Sequence, residues 1–192
     1  DEVLARYHVI NLQHWERLET GELTRDQVQE GRFRVLFQEL GRTVDPVQVT
    51  RTYERNLGIG HYFLPGAEEA VQSLHKKYRL FLASNGTASV QHSRLTSAGL
   101  YPYFEKVFVS QDIGYNKPAR DYFEACFRQI PDFCPERAMM VGDSLTSDIL
   151  GGINAGIRTC WINPAHAPAR ANIQPDYEIE NLSQLEEVLK TL

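Results

Sequence analysis

The sequence has few cysteines and no long apolar run. Its three cysteines, Cys126, Cys134 and Cys160, are widely spaced, odd in number and without a CxxC pair, so they predict no disulfide framework. This usage is typical of a reducing cytosol, and we expect a cytoplasmic protein. No apolar stretch approaches the roughly 18–20 residues that cross a bilayer, and the start does not resemble a signal peptide. We therefore expect no membrane partner.

Basic residues are also scarce relative to acidic ones. The chain has 20 Lys and Arg against 25 Asp and Glu, a formal net charge of −5. A dedicated DNA or RNA binder usually carries a strong basic excess, so we expect no nucleic-acid polymer as a partner. The balance still permits a small anionic substrate, because a few local cations or one metal ion can hold a phosphate.

The pattern of apolar residues changes near residue 60. Residues 1–60 show helical periodicity only: a first helix ends near Gly21, a second begins after Thr24, and Asp45-Pro46 opens a third, since proline suits the first turn of a helix. This half predicts a small helical domain. In residues 61–192 short apolar runs alternate with helical segments, which predicts a parallel sheet covered by helices on both faces.

The second half therefore has an α/β pattern. Ser183 followed by Glu186 predicts a capping box for its last helix. Ligands bind such sheets beyond the carboxyl ends of the strands, and the unusual polar residues of this chain follow three of those ends. The predicted strands are 79–85, 106–110, 138–144, 157–163 and 177–180.

The first polar strand end is Ser84-Asn85-Gly86. A serine hydroxyl and the backbone N–H groups of an Asn-Gly turn, at the start of a helix, can hold phosphate oxygens. The alternative is a plain strand-to-helix turn, because Asn-Gly tolerates left-handed backbone geometry. By itself this turn does not decide between the two interpretations.

The second polar strand end is Asn116-Lys117-Pro118. A residue before proline is biased to extended backbone, and the Lys117 ammonium can neutralise charge on a transferring phosphoryl group. The alternative is a solvated surface lysine ahead of a helix that begins at the proline.

The third is Val141-Gly142-Asp143-Ser144-Leu145-Thr146-Ser147-Asp148. Two carboxylates so close repel each other unless a cation or a proton lies between them, and Mg²⁺ prefers oxygen ligands. The alternative makes Asp148 a helix N-cap and Asp143 an ordinary loop acid.

Together the motifs LASNGT (82–87), YNKP (115–118) and VGDSLTSD (141–148) resemble the second, third and fourth motifs of the haloacid dehalogenase (HAD) superfamily of aspartate-dependent phosphatases. The resemblance implies the HAD-like Rossmannoid parallel sheet over residues 61–192 and a small helical (C1-type) cap over residues 1–60. NxxxW from Asn11 to Trp15, GxxT from Gly21 to Thr24 and DILGGINAGIRTCWIN (148–163) are similar to the pyrimidine 5′-nucleotidase branch, which hydrolyses nucleoside monophosphates, including noncanonical ones.

The resemblance also implies a role for each motif residue. Ser84 binds the phosphate with the N–H groups of Asn85 and Gly86. Lys117 balances charge on the nucleophile and the phosphoryl group. Asp143 holds Mg²⁺, and Asp148 supports the water shell of the metal and Lys117. The partner implied is a small phosphate ester, and the state a monomer or homodimer.

The family's first motif, DxDxT, carries the nucleophilic aspartate and the acid/base aspartate, and it does not occur in this sequence. Because the sequence opens at Asp1 within a helical pattern, we expect an upstream segment of about 35–45 residues that supplies one strand, a loop and a helix. In the family that strand lies between the strands ending at Ser84 and Asp143. We expect the 192 residues alone to fold poorly and to be inactive.

Three alternatives stay open at this stage. A dehalogenase of the same fold shares the Ser-Asn-Gly motif but lacks the Asp143 and Asp148 arrangement. A sugar phosphate is an alternative substrate, and a noncatalytic nucleotide- or partner-binding module is an alternative function. Asn11 and Trp15 are candidates for contact with the substrate base, with the interior of the helical domain as their other interpretation.

Overall fold

The computed structural model describes residues 2–191. These residues divide into two compact units, with the boundary between Ile59 and Gly60. Along residues 2–191 no helix is both long and apolar enough to span a membrane.

The first unit consists of helices. Thr24 begins the second one with a capping box, in which its hydroxyl accepts from the Gln27 N–H and the Gln27 side chain accepts from the Thr24 N–H. Asp45 accepts from the Val47 N–H at 2.9 Å and so starts the third. The helices are α1 (Glu2–Glu19), α2 (Arg25–Glu39) and α3 (Pro46–Ile59).

Apolar and aromatic side chains hold the first unit together. Tyr7 stacks on Phe33 with 5.7 Å between ring centroids, and Tyr53 tilts against Phe33 at 5.3 Å. These rings therefore join all three helices. The buried apolar side chains are Ile10, Leu18, Val28, Phe33 and Leu36.

The second unit alternates strands and helices, as its sequence pattern predicts. The strands are β1 (Phe81–Ser84), β2 (Lys106–Val109), β3 (Met139–Gly142), β4 (Arg158–Ile162) and β5 (Tyr177–Ile179). The α-helices are α4 (Ala67–Leu74), α5 (Ala88–Ser97), α6 (Ser110–Ile113), α7 (Arg120–Phe127), α8 (Leu150–Ala155) and α9 (Leu185–Leu189), and a π-helix covers Leu145–Ile149.

All strand pairs are parallel, but they form two sheets. One has the order β1-β2 and the other the order β3-β4-β5. Within residues 2–191 no further strand pairs with the second edge of β1 or of β3. Backbone groups on such edges need partners when they are buried.

Helix α8 packs closely on its neighbours through glycines. A Cβ on Gly151 would lie 2.6 Å from the Phe123 ring, and one on Gly152 would lie 2.6 Å from Cγ2 of Thr159. The two glycines therefore allow close packing of α8 on its neighbours. Gly156 ends the helix with a φ of 71°.

The prediction of a capping box formed by Ser183 and Glu186 is wrong. The box forms instead between Asn181 and Gln184, at a short 3₁₀ turn over Leu182–Gln184. The Ser183 hydroxyl donates to the Asn181 side chain, and the Asn181 oxygen also accepts from the Ser183 N–H, so the helix entry lies earlier than the Ser183 pattern indicated.

Candidate active site

The polar turn after β1 is closed by its own serine. The Ser84 Oγ accepts a hydrogen bond from the Gly86 N–H at 3.0 Å. Helix α5 then begins at Ala88, whose N–H donates to Oε1 of Gln111 at 2.8 Å. Ser84 is half-buried at the carboxyl end of its strand, where the sequence placed it.

The side chain of Asn85 reaches across to Lys117. Its Nδ2 donates to the Lys117 carbonyl oxygen at 2.9 Å, and its Oδ1 accepts from the Lys117 N–H at 2.9 Å. Nδ2 also donates to the Ser147 Oγ at 3.3 Å. One amide thus links the turn after β1, the loop that carries Lys117 and the segment after β3.

Lys117 is a buried cation, 5% exposed. Its Nζ lies 2.5 Å from Oδ1 of Asp148 and donates to the Ala83 carbonyl oxygen at 2.8 Å. A buried charge is costly without a partner of opposite sign and further hydrogen bonds. Lys117 has both, so the interpretation as a solvated surface lysine is excluded.

Asp148 is buried as well, and both of its carboxylate oxygens are used. Oδ1 faces the Lys117 ammonium, and Oδ2 accepts from the Ser144 N–H at 3.1 Å. Gly142 makes room for this carboxylate, because a Cβ there would overlap its Oδ2 and Cγ atoms. The N-cap of this helical segment is Ser144, which accepts from the Ser147 N–H, rather than Asp148.

Asp143, in contrast, is exposed at the carboxyl end of β3. Its carbonyl oxygen accepts from Nε1 of Trp161 at 2.9 Å, which fixes the backbone while the carboxylate makes no hydrogen bond to residues 2–191. The same residues contain no group of three or more His, Cys, Asp or Glu side chains placed for a metal. A lone exposed carboxylate fits Mg²⁺, which takes one or two carboxylates and keeps several waters.

Two buried groups on α7, the Tyr122 hydroxyl and the Cys126 thiol, have raised pKa values. The Tyr122 hydroxyl donates to the Phe108 carbonyl oxygen at 2.8 Å, and burial raises its pKa. Burial also raises the pKa of the Cys126 thiol to about 12. Because a thiolate rather than a thiol is the nucleophile, Cys126 is unsuited to covalent chemistry.

Three contributors to the site were missed by sequence reasoning. They are the Ser147 hydroxyl, the Ala83 carbonyl and the Trp161 indole. Ser147 lies within the VGDSLTSD motif, so its position in that motif could have identified it as a site residue. The Ala83 and Trp161 contacts depend on how the strand ends meet in space, which the linear sequence does not encode.

Asn11 and Trp15 lie one helical turn apart in the first unit. The Trp15 Nε1 donates to Oδ1 of Asn11 at 3.2 Å, and Nη1 of Arg32 donates to the same oxygen at 2.7 Å. Both residues are half-buried. Sequence reasoning had not connected Arg32 with this pair.

Residues 2–156 match the family model of the haloacid dehalogenase-like hydrolases. The chain is 36% identical over 180 residues to the pyrimidine 5′-nucleotidase PynA of Streptococcus pneumoniae, covering 93% of this chain and 76% of that protein. It is 32% identical over 183 residues to the pyrimidine 5′-nucleotidase YjjG of Escherichia coli, covering 95% of this chain and 80% of that protein.

A solved structure is similar over nearly the whole chain. The crystal structure of the HAD hydrolase YfnB from Bacillus subtilis, described as bound to magnesium, aligns with a TM-score of 0.93 and 39% identity. The alignment covers 98% of this chain and 83% of that one.

Proposed function

Because the chain belongs to the haloacid dehalogenase-like hydrolases, we propose that it removes phosphate from pyrimidine nucleoside 5′-monophosphates, including noncanonical ones. One observation carries the proposal: beyond the ends of β1 and β3, the Asn85 side chain is hydrogen-bonded to the Lys117 backbone and the Lys117 ammonium is hydrogen-bonded to Asp148. The pyrimidine 5′-nucleotidases PynA and YjjG, at 36% and 32% identity, support this class of substrate.

Ser84 and the turn after it bind the phosphate in this proposal. The Ser84 hydroxyl and the N–H groups of Asn85 and Gly86 stand at the start of α5, where the helix dipole favours an anion. Lys117 supplies the cation that offsets charge as the phosphoryl group moves. Its contacts to Asp148 and Ala83 hold the ammonium in one position.

In this proposal Asp143 coordinates Mg²⁺. Asp148 acts indirectly, through its contact with Lys117 and by supporting the water molecules bound to the metal. The exposed carboxylate of Asp143 and the buried, fully engaged carboxylate of Asp148 support this division of roles. When bound, the metal supplies electrostatic stabilisation of the phosphate oxygens. The magnesium described for the YfnB crystal structure supports the choice of ion.

The chemistry proceeds in two steps. An aspartate carboxylate attacks phosphorus, the bond from phosphorus to the nucleoside oxygen breaks, and the nucleoside leaves after protonation by a second carboxylic acid. Water then cleaves the aspartyl-phosphate and releases inorganic phosphate. In the haloacid dehalogenase family the DxDxT motif supplies these two carboxyl groups, and within residues 2–191 one edge of β1 and one edge of β3 have no partner strand.

In this proposal residues 1–60 have the role of a cap domain. Asn11 and Trp15 are the residues of this cap that we assign to the base.

The test is phosphate release by the full-length protein from dTMP, dUMP, UMP, AMP and a hexose phosphate, each with Mg²⁺ or EDTA. The proposal predicts release from the pyrimidine nucleotides that needs Mg²⁺. Turnover of the hexose phosphate alone would move the substrate to sugar phosphates. No turnover of any ester, with the DxDxT aspartates confirmed by sequencing, would favour the noncatalytic module.

A further inference from the structure

The indole of Trp161 donates its single N–H to the backbone of the residue that the proposed function assigns to the metal. Trp161 lies on β4, where it is the register partner of Gly142, the last residue of β3. Its Nε1 lies 2.9 Å from the carbonyl oxygen of Asp143, one residue beyond that last pair. The indole therefore supplies a hydrogen bond at the point where the pairing of the two strands has ended.

The other end of the same peptide unit is held by a carboxylate. The N–H of Ser144 shares a peptide unit with the Asp143 carbonyl, and it donates to Oδ2 of Asp148 at 3.1 Å. A peptide unit is planar, so hydrogen bonds to both its oxygen and its N–H fix the orientation of that plane. Strand β3 holds the chain on the other side of Asp143. The direction in which the Asp143 side chain leaves the backbone is consequently fixed.

The donor itself is held in place by packing. Trp161 is 4% exposed and belongs to a buried apolar cluster with Ile149 and Ile173, which come from two other segments of the chain. A buried tryptophan usually finds an acceptor for its N–H, and the acceptor here is the backbone of Asp143. The cluster therefore fixes the indole, and the indole fixes the peptide.

This restraint matters because nothing else within residues 2–191 holds the Asp143 carboxylate. The side chain is exposed and makes no hydrogen bond to those residues, so its backbone decides where it points. Mg²⁺ requires near-ideal octahedral geometry and takes only one or two carboxylates. A ligand that is already oriented loses less conformational freedom when the ion binds.

We propose that Trp161 is a positioning residue, whose indole N–H holds the Asp143–Ser144 peptide so that the Asp143 carboxylate is oriented toward Mg²⁺. This inference rests on the proposed function, in which Asp143 coordinates the metal. It assigns part of the Mg²⁺ affinity to a residue of β4 that does not touch the ion. Partners that orient metal ligands in this way are typically worth about 10- to 100-fold in metal affinity.

The test is calorimetric titration of the full-length protein with Mg²⁺ alone, in the absence of any phosphate ester. Trp161→Phe removes the N–H and keeps an aromatic ring in the cluster. Ile173→Ala is the matched control, because it opens a cavity in the same cluster and leaves the indole N–H in place. Urea unfolding of each variant reports the cost of the cavity.

We expect Trp161→Phe to raise the Kd for Mg²⁺ at least about tenfold. The Mg²⁺ concentration for half-maximal dTMP hydrolysis should rise by a similar factor. Ile173→Ala should lower the urea midpoint but bind Mg²⁺ nearly as the unmodified protein does. Because Trp161 acts through Asp143, adding Trp161→Phe to Asp143→Asn should slow dTMP hydrolysis little further.

An unchanged Kd for Mg²⁺ in Trp161→Phe overturns the inference alone. An equal loss of affinity in Ile173→Ala also overturns it, because that result shows that packing rather than the hydrogen bond matters. A full additional loss in the double variant would show that Trp161 acts by a route other than Asp143. If the unmodified protein itself binds no Mg²⁺, the metal assignment of the proposed function fails, and this inference fails with it. The two failures are therefore distinguishable.

Discussion

The side-chain amide of Asn85 and the peptide of Lys117 are joined by two hydrogen bonds, each 2.9 Å long. The amide of one residue thereby fixes the backbone of the other, and the Lys117 ammonium then reaches Asp148 from a constrained starting point. Asn85 therefore acts through Lys117, in addition to any contact that its own N–H makes with a phosphate.

Replacing Asn85 by alanine should misplace Lys117. Both hydrogen bonds to the Lys117 peptide are lost, and a misplacement of about 1 Å can cost about 100-fold in rate. We expect a loss of that order in kcat, measured as phosphate release from dTMP by the full-length protein. Asn154→Ala is the control, because the exposed Asn154 side chain donates to the neighbouring Pro118 carbonyl at 3.0 Å instead of to the Lys117 backbone. Equal effects of both variants would contradict this role.

The pair of Lys117 and Asp148 should be strongly coupled in stability. Lys117→Met or Asp148→Asn alone leaves one buried charge without its partner, which costs about 3–5 kcal/mol. The double variant removes both charges, so its loss in the free energy of unfolding should be smaller than the sum of the single losses. Urea unfolding of the four proteins measures this coupling, and additive losses would show that the two charges do not interact.

Gly142→Ala should strongly lower activity, because it displaces the Asp148 side chain. The new methyl group would overlap the carboxylate of Asp148, so that side chain must leave its contacts with Lys117 and Ser144. We expect a fall in kcat of about 100-fold or more. Gly152→Ala is the comparison, because its methyl group meets Thr159 and Met140 instead. It should lower the melting temperature yet leave kcat near normal at a temperature where the protein is folded.

Cys126 and Cys160 should resist alkylation in the folded protein. Burial raises their thiol pKa values to about 12 and about 11, and both side chains are buried. Cys134 is only half-buried and should be the one of the three that iodoacetamide modifies at pH 8, as read by peptide mass spectrometry. Modification of Cys126 before unfolding would contradict the buried position.

The same two thiols should make stability fall at alkaline pH. In the unfolded chain they ionise near their ordinary pKa of 9.0, whereas the folded chain keeps them protonated to about 11–12. Their contribution is thus fully present below pH 9 and is lost as the pH rises from 9 toward 12. The free energy of unfolding should decrease between pH 8 and pH 10, and less so in Cys126→Ala with Cys160→Ala.

The sequence predicts the fold class well because the spacing of apolar residues and the turn and capping residues between elements are local properties of the chain. The five strands and the start of α2 after Thr24 follow from short sequence patterns. The division into two parallel sheets is different, since it depends on which strand edges find partners in space.

The candidate site also has features that the local sequence predicts and features that depend on contacts in space. Ser84, Lys117, Asp143 and Asp148 stand out in the sequence because polar residues at buried strand ends are unusual. Packing between distant segments determines that Asp148 is buried and Asp143 exposed. It also brings Arg32 within hydrogen-bond distance of Asn11. Such distances have no local sequence signature.

The most direct test of the account is the Mg²⁺ dependence of dTMP hydrolysis by the full-length protein and its Asp143→Asn variant. Asp112→Asn, an exposed acid on α6, serves as the matched control. We expect the unmodified protein and Asp112→Asn to lose activity in EDTA and regain it with Mg²⁺, while Asp143→Asn stays at least about 100-fold slower at every Mg²⁺ concentration. Near-normal turnover by Asp143→Asn in Mg²⁺ would contradict the assignment of the site.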